Sequence, residues 1–138
     1  MRKILCSDGE YVVEHEYEQA WLRWPGGSHP VGDHYGDPTC AVMSALEGWC
    51  VTGGEGLVIT LFEAGLPAAH GPAATGKITQ AALWRSRGGG KPPPEGDLWY
   101  VFGVWFAGEG RVQAVVDPGS DHAGLYEVDV RTLDWRKV

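Results

Sequence analysis

Hydrophobic and polar positions alternate along much of this chain, the pattern of a strand with one face buried. Over residues 10–18, Tyr11, Val13, His15 and Tyr17 fall on one face, with Glu10, Val12, Glu14, Glu16 and Glu18 on the other. Residues 125–131 alternate again, with Tyr126, Val128 and Val130 inward and Glu127, Asp129 and Arg131 outward. Two runs are apolar without alternation. Residues 57–62 predict a strand buried on both faces, and residues 99–106, the most apolar run, predict a central strand. Within the latter, Gly103 removes a side chain, either to make room for a neighbouring ring or to mark a bulge.

Turn chemistry divides these runs into a meander. Pro25-Gly26-Gly27 ends a second strand over residues 20–24, and residues 29–38 read as a turn-rich loop. Glu47-Gly48 is a hairpin turn between short strands near residues 40–46 and 49–51. Gly53-Gly54-Glu55-Gly56, Glu109-Gly110 and the residues 117–121 supply further turns, with strands over 111–116 and 132–138. Residues 77–86 fit a short helix or a strand. The Gly/Pro/Ala-rich residues 63–76 and the Gly-Pro tract over 86–97 read as surface loops. The expected fold is mainly β: one domain over residues 1–138, an antiparallel meander or sandwich with at most one short helix.

Composition sharpens this picture at two points. Seven Trp and 21 Gly suit short strands and tight turns, and 138 residues build a core without disulfide or metal support. Cys6, Cys40 and Cys50 cannot all pair within one chain, and no Cys/His spacing marks a zinc site. The N-terminus turns polar too early for a secretory leader, and no apolar run reaches membrane-spanning length. These features predict a cytoplasmic protein with no membrane partner.

Charge is lopsided. Residues 1–76 hold ten carboxylates against three basic side chains, a balance of −7, whereas residues 77–138 hold eight of each. No Lys or Arg occurs from residue 24 to residue 76. Such a surface repels nucleic acid, so no nucleic-acid partner is expected, and it attracts a basic protein. A solvated acidic coat that keeps the protein dissolved is the plainer explanation.

Candidate chemistry is sparse. His34 and Cys40 lie near Asp33 and Asp37, but Cys40 opens an apolar strand and should be an inert packing thiol. His29, Asp33, His34 and Asp37 offer nitrogen and oxygen donors without a spacing that fixes metal geometry. No metal, cofactor or catalytic set is expected. Two other classes remain open: a small carboxylate- or metal-dependent hydrolase using residues 29–37, and a carbohydrate-binding module using exposed rings among Trp21, Trp24 and Trp49.

Two passages carry a family resemblance. Val31-Gly32-Asp33-His34-Tyr35-Gly36-Asp37-Pro38-Thr39-Cys40-Ala41 with the following Trp49-Cys50-Val51-Thr52-Gly53-Gly54-Glu55-Gly56-Leu57 resembles a stretch of small bacterial immunity proteins from polymorphic toxin systems. Val115-Val116-Asp117-Pro118 with Gly124-Leu125-Tyr126-Glu127-Val128 resembles the C-terminal end of similar proteins. The resemblance implies a non-enzymatic cytosolic antidote that binds a cognate toxin domain and blocks it by non-covalent occlusion. Bordered by carboxylates, Tyr35 and Trp49 are the expected anchors. Asp33, Asp37, Glu47 and Glu55 would pair with basic residues of the toxin, and Glu14, Glu16 and Glu18 form a second candidate set.

Overall fold

A computed structural model describes residues 2–71, 76–85 and 99–138. Twelve strands fill these residues, arranged as three antiparallel sheets of four, each a meander of consecutive strands. The first sheet contains β1 (Lys3–Asp8), β2 (Tyr11–Glu16), β3 (Gln19–Trp24) and β4 (Gly27–Asp33). The second contains β5 (Cys40–Ser44), β6 (Trp49–Gly54), β7 (Gly56–Phe62) and β8 (Ile78–Leu83). The third contains β9 (Val101–Gly108), β10 (Arg111–Val116), β11 (Gly124–Asp129) and β12 (Trp135–Lys137). The mainly β expectation holds. Among the described residues there is no helix, so none is long and apolar enough to cross a membrane.

The sheets stack like an opened fan. β5 lies beside β1 on one side and β9 on the other, so the first strands of the three sheets are neighbours. The second sheet is therefore covered on both faces, which is why residues 57–62 are apolar without alternation. Trp49, Val51, Leu57 and Ile59 pack with Val101, Val112 and Val128 of the third sheet. Cys50 and Phe62 pack with Val13, Leu22, Trp24 and Val31 of the first. Thr52 and Thr60 are buried on the same side and satisfied: Thr52 Oγ1 lies 3.2 Å from the Val31 carbonyl, and Gln80 Nε2 donates to Thr60 Oγ1 at 3.1 Å. Residues 125–131 alternate as their pattern predicts, with Tyr126, Val128 and Val130 buried.

Three expectations need correction. β2 stops at Glu16, and Tyr17 and Glu18 form the turn into β3, Tyr17 at φ 52°. Tyr17 is consequently 78% exposed instead of facing inward. Residues 29–33 belong to β4, not to a loop; Pro30 is tolerated because β4 is a sheet edge and the ladder shifts register opposite it. Of the two alternatives left open for residues 77–86, the structure has the strand, β8 over residues 78–83. The apolar run ending in β9 lies at the edge of the third sheet and not at its centre, and leaves Phe102, Trp105 and Phe106 exposed.

Of the two purposes suggested for Gly103, the structure supports the bulge: the ladder shifts next to it at residue 102, while a Cβ there would meet the Trp105 ring at 3.6 Å, an ordinary contact that needs no missing side chain. The described part of the 63–76 loop is pinned to the first sheet. Trp24 Nε1 donates to the Gly71 carbonyl at 2.8 Å, Gly26 N–H donates to Ala69 at 3.1 Å, and the Tyr11 hydroxyl bonds the Pro67 carbonyl. The loop expected over residues 86–97 lies outside the described residues.

Candidate functional site

The nine candidate residues separate into two populations. Trp49 is fully buried, its ring stacked 6.1 Å from Phe106, so it is a core residue and no surface anchor. Alternation explains this: Trp49 opens β6 on the side facing the third sheet. Glu47 is half-buried in the preceding turn, where its Oε1 accepts the Gly110 N–H at 2.6 Å and the Trp49 indole N–H at 3.3 Å. It ties the β5–β6 turn to the β9–β10 turn.

Glu55 is only 2% exposed, at the apex between Gly54 and Gly56, which pair with one another. Its Oε2 is buried with no hydrogen-bond partner among the described residues. Burial raises the carboxyl's pKa, and Arg85 opposes that rise. Glu14 is buried on the first sheet's outer face, between Arg2 Nη1 at 3.1 Å and Arg23 Nε at 3.0 Å. Burial pulls its pKa up, yet the hydrogen bonds from Arg23 and Arg2 outweigh this and hold it below the ordinary value. Trp49, Glu55 and Glu14 are closed to a partner, whereas Glu47, half-buried, lines an open groove with Leu46, Phe106 and Arg131.

All but one of the other candidates converge. Tyr35 and Asp37 are exposed in the connection from β4 to β5, and Glu16 and Glu18 are exposed at the β2–β3 turn, whereas Asp33, exposed at the end of β4, lines a separate groove with Gln80 and Arg85. Two hydrogen bonds clamp these segments together: Gly36 N–H to Glu18 Oε2 at 2.6 Å, and His34 N–H to the Glu18 carbonyl at 2.9 Å. Gly36 takes φ 82°, the left-handed conformation that glycine adopts without steric cost. A groove of about 190 Å³ lies between Lys3, His15, Glu16, Tyr17 and Asp37.

The result is a knuckle with three exposed carboxylates, Glu16, Glu18 and Asp37, and two exposed tyrosines, Tyr17 and Tyr35, the latter 40% exposed. Sequence reasoning placed Tyr17 on the inner face because the alternation continues through it. The available signal was the unbroken polar run Glu16-Tyr17-Glu18-Gln19, which suits a turn better than a strand interior.

Beneath the knuckle, His34 is buried, with Nε2 2.9 Å from Thr52 Oγ1 and Nδ1 3.4 Å from the Glu55 carbonyl. Burial pushes its pKa down to about 4, against a weak opposing hydrogen bond from the ring Nδ1–H to the Glu55 carbonyl, so the ring is neutral at pH 7. Gly32 and Gly54 admit it: a Cβ at either would stand 3.1 Å or 3.3 Å from a ring nitrogen. His34 therefore acts as a packed internal strut for the exposed turn.

Desolvation raises the pKa of all three cysteines, that of Cys6 to about 12, so none carries a reactive thiolate. Among the described residues no group of three or more His, Cys, Asp or Glu side chains is placed to hold a metal. Trp24 is buried, and Trp21 is half-buried with the Arg2 guanidinium 5.3 Å from its ring, so neither offers a flat exposed platform for a sugar. Compared with protein-family models, curated proteins and solved structures, the chain matches none.

Proposed function

We propose that this protein is an immunity protein that acts in the cytoplasm and blocks a basic toxin domain by docking it on the acidic knuckle. The observation that carries the proposal is the convergence of Tyr35 and Asp37 with Glu16, Tyr17 and Glu18 on two hydrogen-bonded turns. Exposed tyrosines ringed by carboxylates combine a hydrophobic anchor with charges that pair to Arg or Lys. The clamp between the turns fixes the site before binding, so little ordering entropy opposes association. The −7 balance of residues 1–76 adds long-range attraction for a cationic partner.

The experiment is protection of cells expressing the toxin domain encoded beside this chain's gene. Wild type should protect, with an affinity on the order of nM, and Tyr17→Ala/Tyr35→Ala should lose protection while retaining its strand signal in circular dichroism. Full protection by the double variant would overturn the assignment of the site, and turnover of any substrate by the purified protein would contradict its non-enzymatic role.

A further inference from the structure

The outer face of the third sheet is apolar at one end and charged at the other. Register across the strands sets Gly103, Val115, Leu125 and Val138 in one row. The next row is Trp105, Gln113, Glu127 and Arg136, and beyond it Arg111 pairs with Asp129. Phe102 is 53% exposed, Trp105 42% and Val138 62%. A contiguous apolar row of this kind is unusual on a face that stays in water. The first sheet's outer face differs, because Arg2, Glu14 and Arg23 close over it and Arg2 lies on Trp21.

We propose that this face is a homodimer interface. Two copies of the chain stack their third sheets face to face about a two-fold axis that runs along the strands between β10 and β11. Such an axis sets β10 of one copy over β11 of the other, and β9 over β12. Val115 then meets Leu125 of the second copy, and the side-chain-free Gly103 meets Val138. Trp105 meets Arg136, a ring over a guanidinium, while Glu127 meets Gln113 and Arg111 meets Asp129. Every row is complementary to itself under this one rotation, as an isologous interface requires.

Charge selects a second copy as the occupant. The whole net charge of −7 is held in residues 1–76, and residues 77–138 balance to zero. On the face itself Arg111 and Arg136 offset Glu127 and Asp129, with Arg111 and Arg136 already 3.5 Å and 3.7 Å from Glu127. Two anionic chains meet here without net repulsion, whereas a basic partner gains nothing from a neutral surface. Four short strands make an interface at the small end of the stable range, so dissociation on the order of µM is expected.

Sedimentation equilibrium from about 1 to about 200 µM chain tests this. Wild type should pass from one to two chain masses across that range. Trp105→Glu and, separately, Val138→Glu should raise the dissociation constant at least about tenfold, with unchanged circular dichroism. Val138 is 62% exposed and packs into no core cluster, so its variant reports on the interface even if Trp105→Glu fails to fold. A wild type that stays at one chain mass to the highest concentration would overturn the proposal. So would Val138→Glu dimerising as wild type does.

Discussion

Residues 14–18 divide between two environments that treat the same side chain in opposite ways. Glu14, on the outer face of the first sheet, is buried between two arginines that neutralise it. Glu18, four positions on, is exposed at the β2–β3 turn and clamps a second acidic segment beside it. The difference comes from register: Glu14 is bracketed by neighbouring strands that carry Arg2 and Arg23, whereas the turn projects beyond the ladder. A count of carboxylates thus overstates the anionic surface. Glu14, Glu47 and Glu55 serve the fold, and the exposed charge of the candidate set, Asp33 apart, gathers at the knuckle.

Perturbing the structural population should be costly, and perturbing the knuckle should leave folding nearly unchanged. Trp49→Ala removes a fully buried ring and should lower unfolding free energy by about 3–5 kcal/mol in urea titration. Tyr35→Ala, at an exposed turn, should stay within about 0.5 kcal/mol of wild type in the same titration.

Acid comes next in size. The folded-state pKa of His34, about 4, lies below the ordinary value of 6.5, so the unfolded chain takes up the proton first. Stability from the neutral ring is complete above about pH 6.5 and declines as pH falls toward 4, by about 2–3 kcal/mol in all. Urea midpoints across that interval should fall, and His34→Gln should flatten the slope. Glu55 has the opposite sign, because its raised pKa makes the charged form unfavourable in the fold above its unfolded value. Glu55→Gln should therefore raise the urea midpoint at pH 7 and change it much less at pH 4.

Much of the meander was legible because period-two alternation and Gly-containing turns are local signals. The residues 111–116 and the Glu109-Gly110 turn match β10 and its hairpin. Stacking order was not legible. Nothing within residues 49–51 distinguishes a Trp facing another sheet from one facing water, and nothing in residues 99–106 reveals an edge strand. Those outcomes depend on which sheet faces pair, a long-range property. In the same way Tyr35 and Asp37 could be singled out from their own loop, whereas Tyr17 joins them only through the clamp between turns distant in sequence.

Calorimetric binding of the toxin domain at low salt tests the central claim most directly, with Glu16→Gln/Asp37→Asn set against Glu109→Gln, an exposed carboxylate in the turn after β9. If the knuckle is the docking site, the paired substitution weakens binding at least about tenfold and Glu109→Gln leaves it unchanged. Equal small losses from both would mean that diffuse negative charge, and no localised site, attracts the partner.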